Sequence, residues 1–378
     1  MNFKTLLSKL ISFKTISMTS NKELMFFIKN YLSKSNIQCE LLEGSKGQFN
    51  LYSRIGPNKD GGILLSGHTD VVPTEGQSWN SDPFKLINKK NRFYGRGTCD
   101  MKSFIAVSLD LVSKVKISNL KKPIHLIFSY DEEIGCVGIQ KIVPFLKKLR
   151  PKPMYCIVGE PTEMKVVNEH KGKKNFLVEF NGVEAHSSLV HNGVNSINFC
   201  SELVEFLKDL QKSISISSKN SKFNPPYSTI SIGLIKGGIA LNIIPKYCEI
   251  EFEIRDTPEI NSEKILEQIK SFLKSLEKKM KKINNKCFIT FKNTNDFPPL
   301  KTDEKKKIIQ MALQKLQSNS INSVSFGTEA GVFNKLGFET IVCGPGNIEQ
   351  AHRPNEFIEE SQIIKCRSFL KNIIEYLY

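Results

Sequence analysis

The hydrophobic pattern of this chain changes twice along its length, and these changes restrict the folds that it can adopt. Up to about Gly172, strand-length apolar runs such as Gly62–Ser66 and His125–Tyr130 alternate with segments that carry apolar residues at helical spacing, such as Met101–Lys114 and Ile139–Leu149. Strands that alternate with helices are typical of layered α/β folds. We therefore predict an α/β domain for this part of the chain.

The stretch from about residue 173 to residue 292 has a different pattern. Its strand-like segments, such as Tyr247–Ile254, alternate apolar with charged residues, and helices are predicted over Ser196–Lys212 and Ser262–Lys279. This combination indicates an α+β sandwich that has one solvated sheet face. Strand–helix units return from residue 293 onward. We therefore predict a small domain, residues 173–292, inserted into a larger α/β domain formed by residues 1–172 and 293–378, and 378 residues suffice for both.

The net charge of +16 raises the question of nucleic-acid binding. The excess is almost entirely Lys, it is spread along the chain, and its densest run, Lys274–Lys292, contains seven Lys and one Glu without interleaved aromatic platforms. Such a run is typical of a solvated helix face and loop. The charge would still help to attract anionic metabolites. We therefore expect no nucleic-acid partner. No segment is long and apolar enough to span a membrane, so we expect no membrane partner either.

The first 21 residues contain no acidic side chain, as in some targeting peptides. They also contain no Arg, and Leu6, Leu7, Leu10 and Ile11 form a helical stripe, so we interpret residues 1–34 as folded structure. The nine Cys show no CxxC spacing, and a disulfide framework is not expected in a chain of this length. We therefore expect a cytoplasmic protein.

Side chains that can bind metals follow the predicted strands of the α/β domain. They are His68 and Asp70 after Gly62–Ser66, Asp100 at a Gly-rich turn, Asp131, Glu132 and Glu133 after His125–Tyr130, Glu160 after Tyr155–Val158, and His352 after Thr340–Cys343. Singly, each has another explanation, such as a structural His, a helix N-cap or a solvated acidic turn. Together, mixed His and carboxylate ligands suit zinc or a related divalent ion. Five ligands with one bridging carboxylate would make a two-metal site.

Two further residues have predicted roles beside these ligands. Asp70 lies two positions after His68 on the same side of an extended chain, so it can hold the second ring nitrogen of His68 and select its tautomer. Glu132 and Glu133 are neighbours whose side chains point differently, so one can bind metal while the other carries a proton.

The motifs of the chain resemble those of a known family. In order they are SGHTDVVP, YGRGTCDMK, DEEIGCVG, GEPT, GVEAHSS, LNIIP, EIRDTP and AHRPNEF, and they extend over essentially the whole sequence. They resemble the metallopeptidase and deacylase family that includes acetylornithine deacetylase, succinyl-diaminopimelate desuccinylase, aminoacylase and glutamate carboxypeptidase. Ser103 departs from the family pattern, which mostly has Gly after Asp-Met-Lys, but Ser is acceptable near the start of a helix.

The resemblance implies a role for each motif residue. His68 and Glu160 would bind one zinc ion, Glu133 and His352 the other, and Asp100 would bridge them. Glu132 would be the general base. The larger domain would be a zinc-peptidase-like catalytic domain, and the inserted domain would be a lid and dimerisation domain. His186 of GVEAHSS would reach the active site, usually that of the neighbouring subunit, so a homodimer is expected.

Within this family, TSNKEL, EHKGKK, FGTEAG and VCGPGNIEQAHRPNEF resemble the acetylornithine deacetylase branch. The resemblance implies removal of the acetyl group from N2-acetyl-L-ornithine with two Zn²⁺, for which Co²⁺ can substitute. One alternative is a succinyl-diaminopimelate desuccinylase or a general N-acyl-amino-acid deacylase. Outside enzymes, the alternative is an inactive metal- or peptide-binding relative, which would be expected to have lost ligands or Glu132, and none of these is lost.

Substrate contacts are predicted at three positions. Arg255 would hold the α-carboxylate, because a planar guanidinium suits a carboxylate; the alternative is an ion pair with Asp256 or a nearby Glu. Asn242 of LNIIP would form a hydrogen bond in the hinge region; the alternative is a turn residue. Glu329 would pair with the substrate's side-chain ammonium; the alternative is that Thr328 caps a helix whose first turn contains Glu329.

Overall fold

The computed structural model describes residues 1–45, 47–217, 222–260 and 262–378, and the chain divides into two compact units. Unit 1 contains residues 1–170 and 300–378, and unit 2 contains residues 171–299. The sequence pattern placed the borders after residues 172 and 292. Unit 2 extends to residue 299 because the strand Phe288–Phe297 pairs with Lys173–Asn181 over its whole length, as far as Phe297 opposite Lys173.

The helices of unit 1 pack against a mixed sheet. Their bounds are α1 Phe3–Ser12, α2 Lys22–Ser33, α3 Ser103–Val112, α4 Val137–Lys141, α5 Val143–Lys148, α8 Lys307–Leu316, α9 Ala330–Lys335 and α10 Glu360–Glu375. Helices α1 and α2 bury Leu6, Leu10, Leu24 and Ile28 in the main core, so residues 1–34 are mostly folded into unit 1, as predicted.

Among the described residues, nine strands form the main sheet of unit 1. They are β1 Cys39–Glu43, β2 Phe49–Ile55, β3 Ile63–His68, β6 Ile124–Ser129, β7 Tyr155–Pro161, β8 Val166–His170, β13 Leu300–Lys301, β14 Ile321–Val324 and β15 Glu339–Gly344. The order is β1-β2-β6-β3-β7-β15-β8-β13, with β14 beside β8. The central strands β6, β3, β7 and β15 run parallel. A smaller sheet has the order β16-β5-β4, from Phe357–Glu359, Arg92–Tyr94 and Ile87–Lys89.

Two predicted helices differ from the structure. The helix predicted over Met101–Lys114 begins only at Ser103, because the preceding turn is irregular and Asp100 has an extended conformation (φ −121°, ψ 96°). The helix predicted over Ile139–Leu149 is two short helices, α4 and α5. The break lies just before Pro144, whose ring removes a backbone donor and clashes with the preceding turn.

In the described part of unit 2, four antiparallel strands form a sheet that packs with two long helices. Its elements are β9 Lys173–Asn181, α6 Ser196–Ser217, β10 Thr229–Gly237, β11 Tyr247–Arg255, α7 Ser262–Ile283 and β12 Phe288–Phe297, with strand order β10-β11-β9-β12. Burial alternates along β9 and β11, so one sheet face is apolar. That face forms a core with the helices, which includes Phe176, Val178, Phe180, Ile250, Phe252, Leu203, Leu207, Ile269 and Leu273. The predicted α/β class with an α+β second unit is confirmed.

Helix α7 carries much of the densest Lys run. Its apolar face, which includes Leu273, Leu276 and Met280, is buried in the core of unit 2, and its Lys side chains, including Lys274 and Lys278, are exposed. This burial pattern matches the solvated helix face that the sequence indicated. None of the helices in the described ranges has the length and apolarity needed to cross a membrane.

Candidate metal centre

The central parallel strands of unit 1 bring the predicted ligands to one edge of the main sheet. His68 is the last residue of β3, Glu160 lies near the end of β7, and Glu132 and Glu133 follow closely on β6. Parallel strands present their carboxyl ends at the same edge, which is where ligands bind in α/β folds. The order of the strands therefore explains why residues far apart in sequence meet here.

Asp100 lies between the two predicted histidine ligands. Its Oδ1 is 2.8 Å from His68 Nε2, and its Oδ2 is 3.2 Å from His352 Nε2. Glu133 Oε2 is 2.9 Å from His352 Nε2, and Glu160 Oε1 is 3.7 Å from His68 Nε2. Each histidine thus faces one oxygen of Asp100 and a second carboxylate. This is the arrangement expected of a bridging carboxylate between two metal positions.

Among the residues that the structure describes, two groups of side chains offer ligand atoms that lie within 4.8 Å of one another. One group is His68, Asp100 and Glu133, and the other is His68, Glu132 and Glu160. Glu132, for which the sequence predicted the role of a base, is therefore also close enough to contribute a ligand atom. The division of roles between Glu132 and Glu133 stays a prediction.

Burial dominates the electrostatics of the site. It raises the pKa of Glu132 and of Glu160 well above the usual range of a carboxyl group, and it raises the pKa of Glu133 to about 7. Burial also opposes ionisation of Asp100, but hydrogen bonds from His352 and His68 outweigh it and lower the pKa of Asp100. Hydrogen bonds to Asp100 and Glu133 raise the pKa of His352 to about 10. Without a metal ion, the cluster must therefore hold protons to offset the repulsion between its carboxylates.

The residues present fit divalent metal ions. Within the described residues, Glu160 Oε1 is buried and has no hydrogen-bond partner. A buried carboxylate oxygen in this state is costly unless a cation neutralises it. Imidazole nitrogens together with carboxylate oxygens are a typical donor set for zinc and related ions.

Asp70 connects the first histidine with the acidic pair. His68 Nδ1 lies 3.0 Å from the Asp70 carbonyl oxygen and 3.4 Å from Asp70 Oδ1. Asp70 Oδ1 accepts a hydrogen bond from the Glu132 backbone N–H at 3.0 Å, and Oδ2 accepts from Glu133 N–H at 3.3 Å and from Ser17 Oγ at 2.8 Å. One buried carboxylate thus orients His68 and the Glu132–Glu133 turn together.

Glu329 lies in the same unit and is only 1% exposed. Its Oε2 accepts a hydrogen bond from Ser66 Oγ at 3.2 Å, and its Oε1 has no hydrogen-bond partner among the described residues. Burial raises the pKa of Glu329 to about 7. Thr328 Oγ1 accepts a hydrogen bond from Ala330 N–H at 3.0 Å, as the alternative interpretation expected. The contact with substrate stays a prediction.

His186 and Asn242 lie on adjacent exposed segments of unit 2. His186 Nδ1 is 2.7 Å from Ser188 Oγ. The carbonyl oxygen of Asn242 accepts a hydrogen bond from Ser187 N–H at 3.0 Å, which joins the two motif segments GVEAHSS and LNIIP. The catalytic role of His186 and the hinge role of Asn242 stay predictions.

Arg255 lies at the end of β11 in unit 2 and is partly exposed. Its Nε donates to Glu253 Oε1 at 2.8 Å, so it has the ion pair with a nearby Glu that the alternative interpretation described. The guanidinium retains other donors for a substrate carboxylate. Its role in binding substrate also stays a prediction.

Two residues near the centre were missed by reasoning from the sequence. Arg96 and Glu356 form a buried ion pair, and Glu356 also accepts hydrogen bonds from the backbone of the turn that carries Asp100. Arg96 lies in the motif YGRGTCDMK and Glu356 lies in the motif AHRPNEF. The sequence shows a basic residue close to Asp100 and an acidic residue close to His352, which are both predicted ligands. Nothing in the local sequence showed that these two charged residues would pair.

Comparison with known proteins identifies the family. The family model described as Peptidase family M20/M25/M40 matches residues 64–376. An acetylornithine deacetylase of Pasteurella multocida (strain Pm70) is 34% identical over 358 residues, which cover 94% of this chain and 91% of that protein. These findings confirm the resemblance that the sequence motifs indicated.

Solved structures show the same fold. An M20 family metallo-carboxypeptidase from Sulfolobus solfataricus matches with a TM-score of 0.76 at 19% identity, over 100% of this chain and 99% of that chain. A dinuclear metal-binding peptidase of the M20 family from Bacillus subtilis matches with a TM-score of 0.67 at 15% identity, over 98% and 97%. The family model and the sequence relative each match most of the chain, which therefore belongs to peptidase family M20/M25/M40.

Proposed function

We propose that this chain is a di-zinc hydrolase that removes the acetyl group from N2-acetyl-L-ornithine and releases L-ornithine and acetate. The observation that carries the proposal is the position of Asp100, whose two carboxyl oxygens face His68 and His352 separately. The relative from Pasteurella multocida, named acetylornithine deacetylase, supports the choice of substrate. The solved relative described as a dinuclear metal-binding peptidase supports two metal ions.

Five residues would hold the metal ions. His68 and Glu160 would bind one Zn²⁺, Glu133 and His352 the other, and Asp100 would contribute one oxygen to each, with Co²⁺ as a possible substitute. When bound, such ions lower the pKa of a water molecule and polarise an amide carbonyl. Asp70 would keep His68 in the tautomer that leaves Nε2 free to bind, because its carbonyl oxygen and its carboxylate both lie beside Nδ1.

Proton transfer would be the task of Glu132. Its buried carboxyl group has a raised pKa, so it can accept a proton from the attacking water and return it to the leaving amine. His186 would donate a hydrogen bond to the oxyanion that develops on the amide carbonyl. The proton thus moves from water to Glu132 to ornithine, and the acetyl group leaves as acetate.

Substrate recognition would rest on Arg255, Asn242 and Glu329. Arg255 would bind the α-carboxylate, and Asn242 would assist by hydrogen bonding in the hinge region. Glu329 would face the side-chain ammonium. The buried Glu329 Oε1 without a partner among the described residues supports this role, because a neighbouring cation would favour the ionised form of a carboxyl group whose pKa burial raises to about 7.

We also propose that the enzyme is a cytoplasmic homodimer, that residues 1–172 and 293–378 form the catalytic domain, and that residues 173–292 form the lid and dimerisation domain. Strand β10 is an edge strand of its sheet, and its Leu234 and Ile235 are about half exposed. An exposed apolar edge strand can pair with a second copy of itself.

The deciding experiment compares substrates with metal supplied and removed. Steady-state hydrolysis of acetylornithine and of succinyl-diaminopimelate would be measured with added Zn²⁺ or Co²⁺ and after chelation. We expect faster turnover of acetylornithine and loss of activity on chelation. Preference for the succinyl substrate would establish the desuccinylase alternative. Metal binding without hydrolysis of any acyl amino acid would indicate an inactive relative.

A further inference from the structure

A buried ion pair lies beside the candidate metal centre. Arg96 Nη1 donates to Glu356 Oε2 at 2.8 Å, and both side chains are only 1% exposed. A buried ion pair adds little net stability, because the loss of hydration offsets the attraction between the charges. The pair therefore calls for an explanation in terms of geometry.

Glu356 holds the turn that presents Asp100. Its Oε2 accepts a hydrogen bond from Gly97 N–H at 3.0 Å, and its Oε1 accepts from Cys99 N–H at 2.8 Å and from Asp100 N–H at 3.2 Å. Its backbone carbonyl accepts from Gly95 N–H at 3.0 Å. A single residue thus restrains the whole turn that ends at Asp100.

Arg96 reaches the loop that presents His352. Its Nη2 donates to Gln77 Oε1 at 2.6 Å, and Gln77 Nε2 donates to the His352 carbonyl oxygen at 2.8 Å. Arg96 Nη1 also lies 3.4 Å from the Arg353 carbonyl oxygen. His352 has a φ of 62°, a left-handed conformation that is unfavourable for a residue other than Gly. Such a loop requires restraint from its surroundings to hold one geometry.

We propose that Arg96 and Glu356 are positioning residues that hold Asp100 and His352 at the correct separation and so set the affinity of the metal position between them. This inference rests on the proposed function. The forked guanidinium bonds Glu356 and Gln77 at the same time, which a single ammonium group would not reproduce. Asp100 and His352 come from distant parts of the chain, and this network joins both to the guanidinium of Arg96.

The test uses the full-length, metal-free protein titrated with Co²⁺ and followed by its visible absorption spectrum. The variants are Arg96→Lys, which keeps the charge, and Gln77→Ala, which cuts the link to His352 in a partly exposed segment. The matched control is Arg92→Lys. Arg92 pairs with Glu359 at 3.1 Å and joins the same two chain segments, but its side chain is 43% exposed. Thermal unfolding of each metal-free variant is measured in parallel.

Wild type should bind two equivalents of Co²⁺. In Arg96→Lys and Gln77→Ala, one equivalent should bind about 10- to 100-fold more weakly with an altered spectrum, as is typical when a partner of a metal ligand is lost. Arg92→Lys should behave as wild type. If Arg96→Lys does not fold, the affinity of Gln77→Ala for Co²⁺ decides whether the inference holds. If both variants bind two equivalents of Co²⁺ with wild-type affinity, this inference is overturned while the proposed function stands. The same holds if Arg96→Lys does not fold and Gln77→Ala binds two equivalents with wild-type affinity. A lower unfolding temperature does not change this conclusion. No binding by wild type would overturn the proposed function as well.

Discussion

Glu132 and Glu133 are neighbours in sequence, yet their carboxyl groups have different partners. Glu133 faces the imidazole of His352, with its two oxygens 3.1 and 2.9 Å from Nε2. Glu132 Oε1 instead accepts a weak hydrogen bond from the Cys136 thiol at 3.4 Å. Their backbone N–H groups both donate to Asp70, which restrains the backbone of the turn that carries the two side chains.

This difference leads to a prediction for two matched variants. Glu132→Gln should keep both metal ions and lose nearly all turnover, because an amide cannot accept the proton from water. Glu133→Gln should weaken one metal site, because it removes a negative ligand. Metal content by atomic absorption and turnover would be measured for both. Loss of metal from Glu132→Gln with high residual activity would show that the two roles are exchanged.

The titration of the site predicts how metal binding depends on pH. In the metal-free protein the pKa of His352 is raised to about 10 and that of Glu133 to about 7, so His352 holds a proton up to about pH 10 and Glu133 holds one below about pH 7, and a metal ion must displace these protons. Affinity for Zn²⁺ should therefore rise with pH up to about 10, more steeply below about 7, and binding should release protons. Calorimetry in buffers of different ionisation enthalpy would measure this release. Affinity that is independent of pH would contradict the assignment of these ligands.

Glu329→Gln tests substrate specificity. If Glu329 faces the substrate ammonium, the variant should lose activity on acetylornithine selectively, since an analogue with an uncharged side chain, such as acetylnorvaline, does not need the carboxylate of Glu329. The measurement is kcat/KM on both substrates. Equal loss on both substrates would leave only a structural role, in which the buried carboxyl group accepts the hydrogen bond from Ser66.

At the scale of elements, the pairing of β15 with β7 positions Glu160. A Cβ on Gly344 would lie 1.9 Å from the carbonyl oxygen of Gly159, which is backbone and cannot move aside. Gly344→Ala should push β15 away from β7, costing about 1–3 kcal/mol of stability, and should weaken metal binding by Glu160.

Gly233→Ala is the control for this prediction. Gly233 also lies in a strand, but the nearest atom to its added Cβ would be 3.9 Å away. This variant should unfold at a denaturant concentration close to that of wild type, and it should bind metal normally. Denaturant unfolding of both variants makes the comparison. Equal midpoints for Gly344→Ala and wild type would show that the strand pair tolerates the extra methyl group.

For the whole molecule, the proposed dimer makes its own prediction. If His186 acts in the neighbouring subunit, inactive His186→Ala mixed with inactive Glu132→Gln should regain activity, because some heterodimers combine an intact His186 with an intact Glu132. Activity after mixing and refolding, together with the mass in solution, measures this. A fully active monomer would refute the idea.

The sequence by itself determined most of the elements and the types of residue that follow the strands. Apolar strand-length runs, helical stripes and the polar residues at strand ends are local patterns, and they predicted the α/β class, the second α+β unit, and the His and carboxylate residues that meet at one sheet edge. Family motifs added predicted roles for individual residues. These features were predictable because each depends on residues within one turn or one strand.

Only the tertiary structure decided which distant residues become partners. Arg96 and Glu356 are 260 positions apart, and Ser66 and Glu329 are 263 apart, so no local periodicity reveals either contact. The short strand Leu300–Lys301 was missed for the same reason: it pairs with Glu169 and His170, which are far away in the sequence. Buried polar groups must find hydrogen-bond partners, but the fold alone determines which ones are within reach.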